Sequence, residues 1–195
     1  MPCVFGSADS KVLFVSQNPP KGEYEGIGRK PLGEVMATDR LDCREPAFWK
    51  CRDWLALPGA FDPSRFFWIH RANCFGGIHK RCSKKFLENA VSLVEPRLML
   101  LFGGVAAGYF FPDLMSSFQS RRMMNLVKCR ELVFEKCGAK VKCHVLFHWS
   151  PLNIWRKRDP EYEDVHRKSI KDARSAIDDV YPEYKIQTGM NSKNH

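Results

Sequence analysis

Four short apolar runs, each closed by a turn-forming segment, set the tightest limits on what this chain can fold into. Lys11-Val-Leu-Phe-Val-Ser16 leads into Gln17-Asn-Pro-Pro20, and Arg65-Phe-Phe-Trp-Ile-His70 into Arg71-Ala-Asn-Cys74. Arg97-Leu-Met-Leu-Leu-Phe102 leads into Gly103-Gly104, and Cys143-His-Val-Leu-Phe147 into His148-Trp-Ser-Pro-Leu-Asn153. Runs this short, without polar alternation, read as strands buried on both faces. Helices are expected between and after them, over residues 46–57, 83–93, 105–111 and 161–180. In the second of these Ser83 can cap the start, and Phe86, Leu87, Ala90, Val91 and Val94 recur at helical spacing. Alternation of strands and helices requires crossover connections, so the expected fold is α/β: a three-layer α/β/α sandwich around a four-stranded, mainly parallel sheet. In such sheets function collects beyond the carboxyl ends of the strands, where all four turns fall. Residues 131–135 and the segment from 141 onward read as a hairpin entering the last strand, and residues 116–122 as a polar, basic loop.

With 195 residues the chain fits a single domain, expected over residues 1–186, with an unpacked tail over 187–195. Hydrophobic and charged fractions of 44% and 27% exclude a disordered or collagen-like chain. No apolar run approaches the ~20 residues of a membrane span, and the N-terminus lacks the basic-then-apolar pattern of a secretory signal. A soluble, intracellular, monomeric protein without a membrane partner is expected. A formal charge of +9 favours a polyanionic partner, with nucleic acid foremost. Eight cysteines in such a chain point to metal ligation rather than disulfides. No glycine-rich phosphate loop follows the first strand, which weighs against a nucleotide-binding flavodoxin-like protein.

The strand-end segments, in their order, resemble the uracil-DNA glycosylase superfamily over about residues 12–176. Val15-Ser-Gln-Asn-Pro-Pro20 sits where the superfamily has its water-activating loop, with Asn18 before proline as in the mismatch-specific and single-strand-selective branches. His148-Trp-Ser-Pro-Leu-Asn153 resembles the His-Pro-Ser-Pro-Leu-Ser loop. Leu93-Val-Glu-Pro-Arg-Leu-Met-Leu-Leu-Phe-Gly-Gly-Val-Ala-Ala107 and Asp159-Pro-Glu-Tyr162 are similar to the iron-sulfur branch.

The resemblance implies a monofunctional DNA glycosylase in base excision repair. Such an enzyme flips a deaminated nucleotide out of the duplex and hydrolyses its N-glycosidic bond. Uracil is the expected base, with hypoxanthine or xanthine as further candidates. His148 would donate a hydrogen bond to a base carbonyl as negative charge builds there, and Asn18 would orient the attacking water. Leu152 would wedge into the vacated stack, while Ser150, Pro151, Lys21 and Arg156 would hold the DNA. His70 falls where the iron-sulfur branch reads uracil with an asparagine; Asn73 lies nearby, Gln17 belongs to the water loop, and Tyr24 could supply the stacking ring that the family has near Pro31. The plainer alternatives are a capped strand end for His148, an Asn-Pro turn for Asn18, and packing against Trp149 or Trp155 for Leu152. A non-catalytic lesion or nucleic-acid binding module on the same fold is the competing function.

Cys74 and Cys82 align with two cluster ligands of the iron-sulfur branch, and Cys43 and Cys51 repeat their spacing. Together the four would cage a structural [4Fe-4S] cluster; zinc is the alternative on the same thiolates, and scattered reduced thiols the plainer reading. Cys143 reads as a buried strand residue.

Overall fold

The computed structural model describes residues 4–16, 55, 65–70, 87–117, 122–129, 132–136, 139–148 and 160–183. In chain order these form β1 (Val4–Gly6), β2 (Val12–Ser16), β3 (Phe66–His70), α1 (Glu88–Val94), β4 (Leu98–Phe102) and α2 (Gly103–Phe110). They continue through α3 (Pro112–Ser117), α4 (Arg122–Lys128), β5 (Leu132–Lys136), β6 (Ala139–Leu146) and α5 (Pro160–Val180).

The protein is α/β with a mostly parallel sheet. The strands form one six-stranded sheet in the order β1-β3-β2-β4-β6-β5. β3, β2, β4 and β6 run parallel; β1 and β5 pair antiparallel to β3 and β6 at the two ends. The four runs read from sequence are these four parallel neighbours, but the sheet has six strands rather than four. β1 is too short to show a periodicity. It can pair because Gly6, at φ 98°, has no Cβ, which would sit 1.6 Å from the Phe66 carbonyl oxygen.

β2 and β4 are buried along their whole length, and alternate residues enter two separate apolar layers. Leu13, Val15, Met99 and Leu101 pack in one layer with Ala90, Val91 and Val94 of α1, Ala106 and Phe110 of α2, and Met124 and Val127 of α4. Val12, Phe14, Leu98, Leu100 and Phe102 pack in the other with Ala173, Ala176 and Ile177 of α5. Rings dominate the second layer. Phe14 meets Phe66 at 5.1 Å, and Trp68 and Phe102 edge-on at 5.7 and 5.9 Å between centroids.

Helix boundaries follow local chemistry. α1 stops at Glu95, whose left-handed φ of 46° lets its N–H reach the Val91 carbonyl, and Pro96 follows. α5 opens with Pro160, with Glu161 and Glu163 in the first turn, where a missing donor and negative charge are both tolerated best. Two sequence expectations need correction. Residues 116–122 are not wholly loop, since α3 runs through Ser117 and α4 begins at Arg122. The last strand starts at Ala139 rather than Cys143, because its pairing with β5 extends it backwards. The helix expected over 46–57, apart from Leu55, and the Ser83 cap lie outside the described residues, as does the tail.

Candidate active site at the carboxyl edge

Parallel pairing carries four strand ends to one edge. Ser16 is in register with His70, Val15 with Leu101, and Phe102 with Leu146. The strands ending at Ser16, His70, Phe102 and Leu146 therefore finish at one level. Strand order adds a topological switch point. β3, the next parallel strand in the chain, lies on one side of β2, while β4 and β6 lie on the other, so the strand order reverses at the β2/β4 boundary. A ligand site in an open α/β sheet forms beyond such a switch point.

Among the described residues, two histidines belong to this edge: His70 closes β3 and His148 lies two residues beyond β6. β2 and β6 flank β4, which separates their ends by roughly 10 Å at ordinary strand spacing. Ser16 itself is buried, at 1% exposure. His148 is half-buried, and burial pushes its imidazole from 6.5 down to about 4, so the ring is neutral at physiological pH. A neutral imidazole has one N–H to donate and one nitrogen to accept.

Two contacts of the His148 segment escape sequence reasoning. Gly103, the first residue of α2, adopts φ 84°, and its α-carbon lies so close to His148 that a Cβ there would be 3.2 Å from the histidine's own Cβ. On the other side Phe147 packs its ring 4.3 Å from that of Tyr162, which is 1% exposed and stacked on His166. The Gly103-Gly104 pair was a visible strand end in the sequence, but nothing in one dimension shows which side chain it faces. Tyr162 stands out in the sequence as the end of the Asp159-Pro-Glu-Tyr162 motif, which does not show that its ring meets Phe147.

Asn18 and the other expected site residues, Gln17, Lys21, Tyr24, Asn73, Ser150, Pro151, Leu152 and Arg156, lie outside the described residues. So do the four proposed ligands Cys43, Cys51, Cys74 and Cys82. Among the described residues no group of three or more His, Cys, Asp or Glu side chains is placed to hold a metal ion. Cys143 is in the core, with its thiol pushed up to about 12 by burial, and the Cys129 thiol donates to the Asn125 carbonyl. No described helix is long and apolar enough to cross a membrane.

Comparison of the chain with protein-family models and with curated proteins finds no match.

Proposed function

We propose that this protein is a monofunctional DNA glycosylase of the uracil-DNA glycosylase type, built on a three-layer α/β/α sandwich, that hydrolyses the N-glycosidic bond of a deaminated base. The observation that carries the reading is the shared edge. A neutral, half-buried His148 sits beyond β6, and β2, the strand that precedes Asn18 in the sequence, ends at the same level, one strand removed. Asn18 follows Ser16, the last residue of β2, by two positions in the sequence.

The chemistry asks for little more. When the glycosidic bond breaks, its electron pair stays on the base and positive charge spreads over the sugar. His148 donates its N–H to the base carbonyl where negative charge grows, and Asn18 orients water toward the sugar carbon. His70, at the end of β3 and level with Ser16, reads the base edge. Leu152 fills the stack that the extruded nucleotide leaves, with Ser150, Pro151, Lys21 and Arg156 on the DNA backbone. The +9 charge favours that polyanion. Products are the free base and an abasic site, and no covalent enzyme intermediate is needed.

Cys43, Cys51, Cys74 and Cys82 supply the thiolates for a structural [4Fe-4S] cluster, or for zinc. Cys143, packed in the apolar core, is read as a core residue and not as one of that set. Iron with inorganic sulfide in the purified protein fits the cluster, zinc fits the alternative, and neither metal ends the ligand assignment.

The test is a single-turnover incubation with oligonucleotides carrying uracil, hypoxanthine or xanthine, followed by alkali. Strand cleavage at one of the three bases fits the glycosylase; tight binding with intact glycosidic bonds would make the protein a lesion-binding module instead.

A further inference from the structure

We infer that Gly103 is a positioning residue for His148: the bare α-carbon at the start of α2 is the surface against which the segment after β6 seats its imidazole. Gly103 has two properties that only glycine combines. Its φ of 84° lies in the left-handed region, and an added Cβ would fall 3.2 Å from the His148 Cβ, 3.8 Å from Cγ and 4.0 Å from Cδ2. The nearest of these atoms is decisive. Cβ is fixed to the backbone, so rotating the imidazole does not relieve the contact; the backbone at residue 148 has to move by a few tenths of an ångström.

The strand end has little room to give. Phe147, the preceding residue, is 1% exposed and lies against the equally buried Tyr162 at the start of α5. β4 and β6 are in register up to Phe102 and Leu146, which fixes the strand end that Gly103 directly follows. The imidazole is thus held between the first turn of α2 and the strand end braced by α5. Catalysis by hydrogen bonding to a developing charge is sensitive to displacements of this size. Only that last consequence rests on the glycosylase reading; the placement of His148 does not.

Gly103→Ala would mix two effects, backbone strain and crowding. Asparagine tolerates the left-handed region better than most residues while still bringing a Cβ, so Gly103→Asn emphasises the crowding. His148→Gly removes the atom it would crowd. Urea unfolding of the wild type, both single variants and the pair forms a double-mutant cycle. The expected result is that Gly103→Asn lowers the folding equilibrium constant at least five-fold less when residue 148 is glycine. An equal cost in both backgrounds overturns the inference. If Gly103→Asn alone does not fold, a folded double variant supports the inference and an unfolded one overturns it.

A second readout separates positioning from general stability. In the folded Gly103→Asn protein the His148 imidazole NMR signals shift and titrate at higher pH than in wild type, while those of His166, on α5, stay in place. Unchanged His148 signals contradict the proposal. Where the wild type excises a base, Gly103→Asn slows single-turnover excision roughly ten-fold at unchanged DNA affinity. A wild type that excises none defeats the glycosylase reading and leaves the cycle to decide on Gly103.

Discussion

A neutral imidazole donates one hydrogen bond without bringing a proton that could be lost to solvent, and burial holds His148 in that state. The consequence for stability has a definite sign. Unfolded, the ring takes up a proton near 6.5; folded, only near 4. Between those values the unfolded chain binds more protons, so stability falls as pH is lowered through this window, by as much as about 3 kcal/mol from this group. His144 on β6 acts in the same direction, since burial, assisted by Lys142 and opposed by Asp172, also lowers its pKa. Urea midpoints at pH 7.5 and 4.5 should therefore separate more in wild type than in His148→Ala; equal separations would place the ring in water. Cys143 gives a second check on burial. With its thiol pushed up to about 12, it should resist iodoacetamide at pH 8 in the native protein and react once urea unfolds the chain. Peptide mass spectrometry reads the difference, and native labelling at the rate of a free thiol would contradict the packing.

At the opposite edge from His148, α5 ends in a latch. The Tyr181 hydroxyl accepts the Lys11 N–H at 2.7 Å and donates to the Arg65 carbonyl, tying the starts of β2 and β3 to the helix end. Arg65 lies over the Tyr181 ring and pairs with Glu183. Tyr181→Phe keeps the ring contact with Phe66 and removes both bonds, with an expected cost of about 1–3 kcal/mol in urea unfolding. A change below about 0.5 kcal/mol would mean water replaces them fully. Phe14→Ala, at the centre of the aromatic layer, should cost about 3–5 kcal/mol by the same measurement. These elements differ in how readable they are from sequence. The buried parallel strands declare themselves because Val12 to Val15 and Leu98 to Phe102 are apolar without a break, which only burial on both faces explains. α5 shows itself through Tyr162, Ser169, Ala173 and Ile177 at helical spacing. α4 does not, because Arg122 and Lys128 enclose so short an apolar stretch that its period cannot be counted. The candidate site is legible as strand ends and turn residues, whereas the Gly103–His148 contact depends on which strands are neighbours, a long-range fact that no local pattern encodes.

For the whole molecule, strand order matters more than any single contact. β2 lies between β3 and β4, so the strand order reverses near the centre of the edge, and β6 brings His148 to the same side. The proposed chemistry uses two groups 130 residues apart in sequence, Asn18 and His148, each following in the sequence a strand that ends at the same level of the sheet. Single-turnover excision from a uracil-containing duplex, measured for wild type, Asn18→Ala, His148→Ala and the double variant alongside DNA affinity, tests that arrangement most directly. Excision should fall by about 100-fold or more in each single variant, with affinity held within a few-fold. Variants that excise uracil as fast as wild type would contradict the assignment of this edge as the active site.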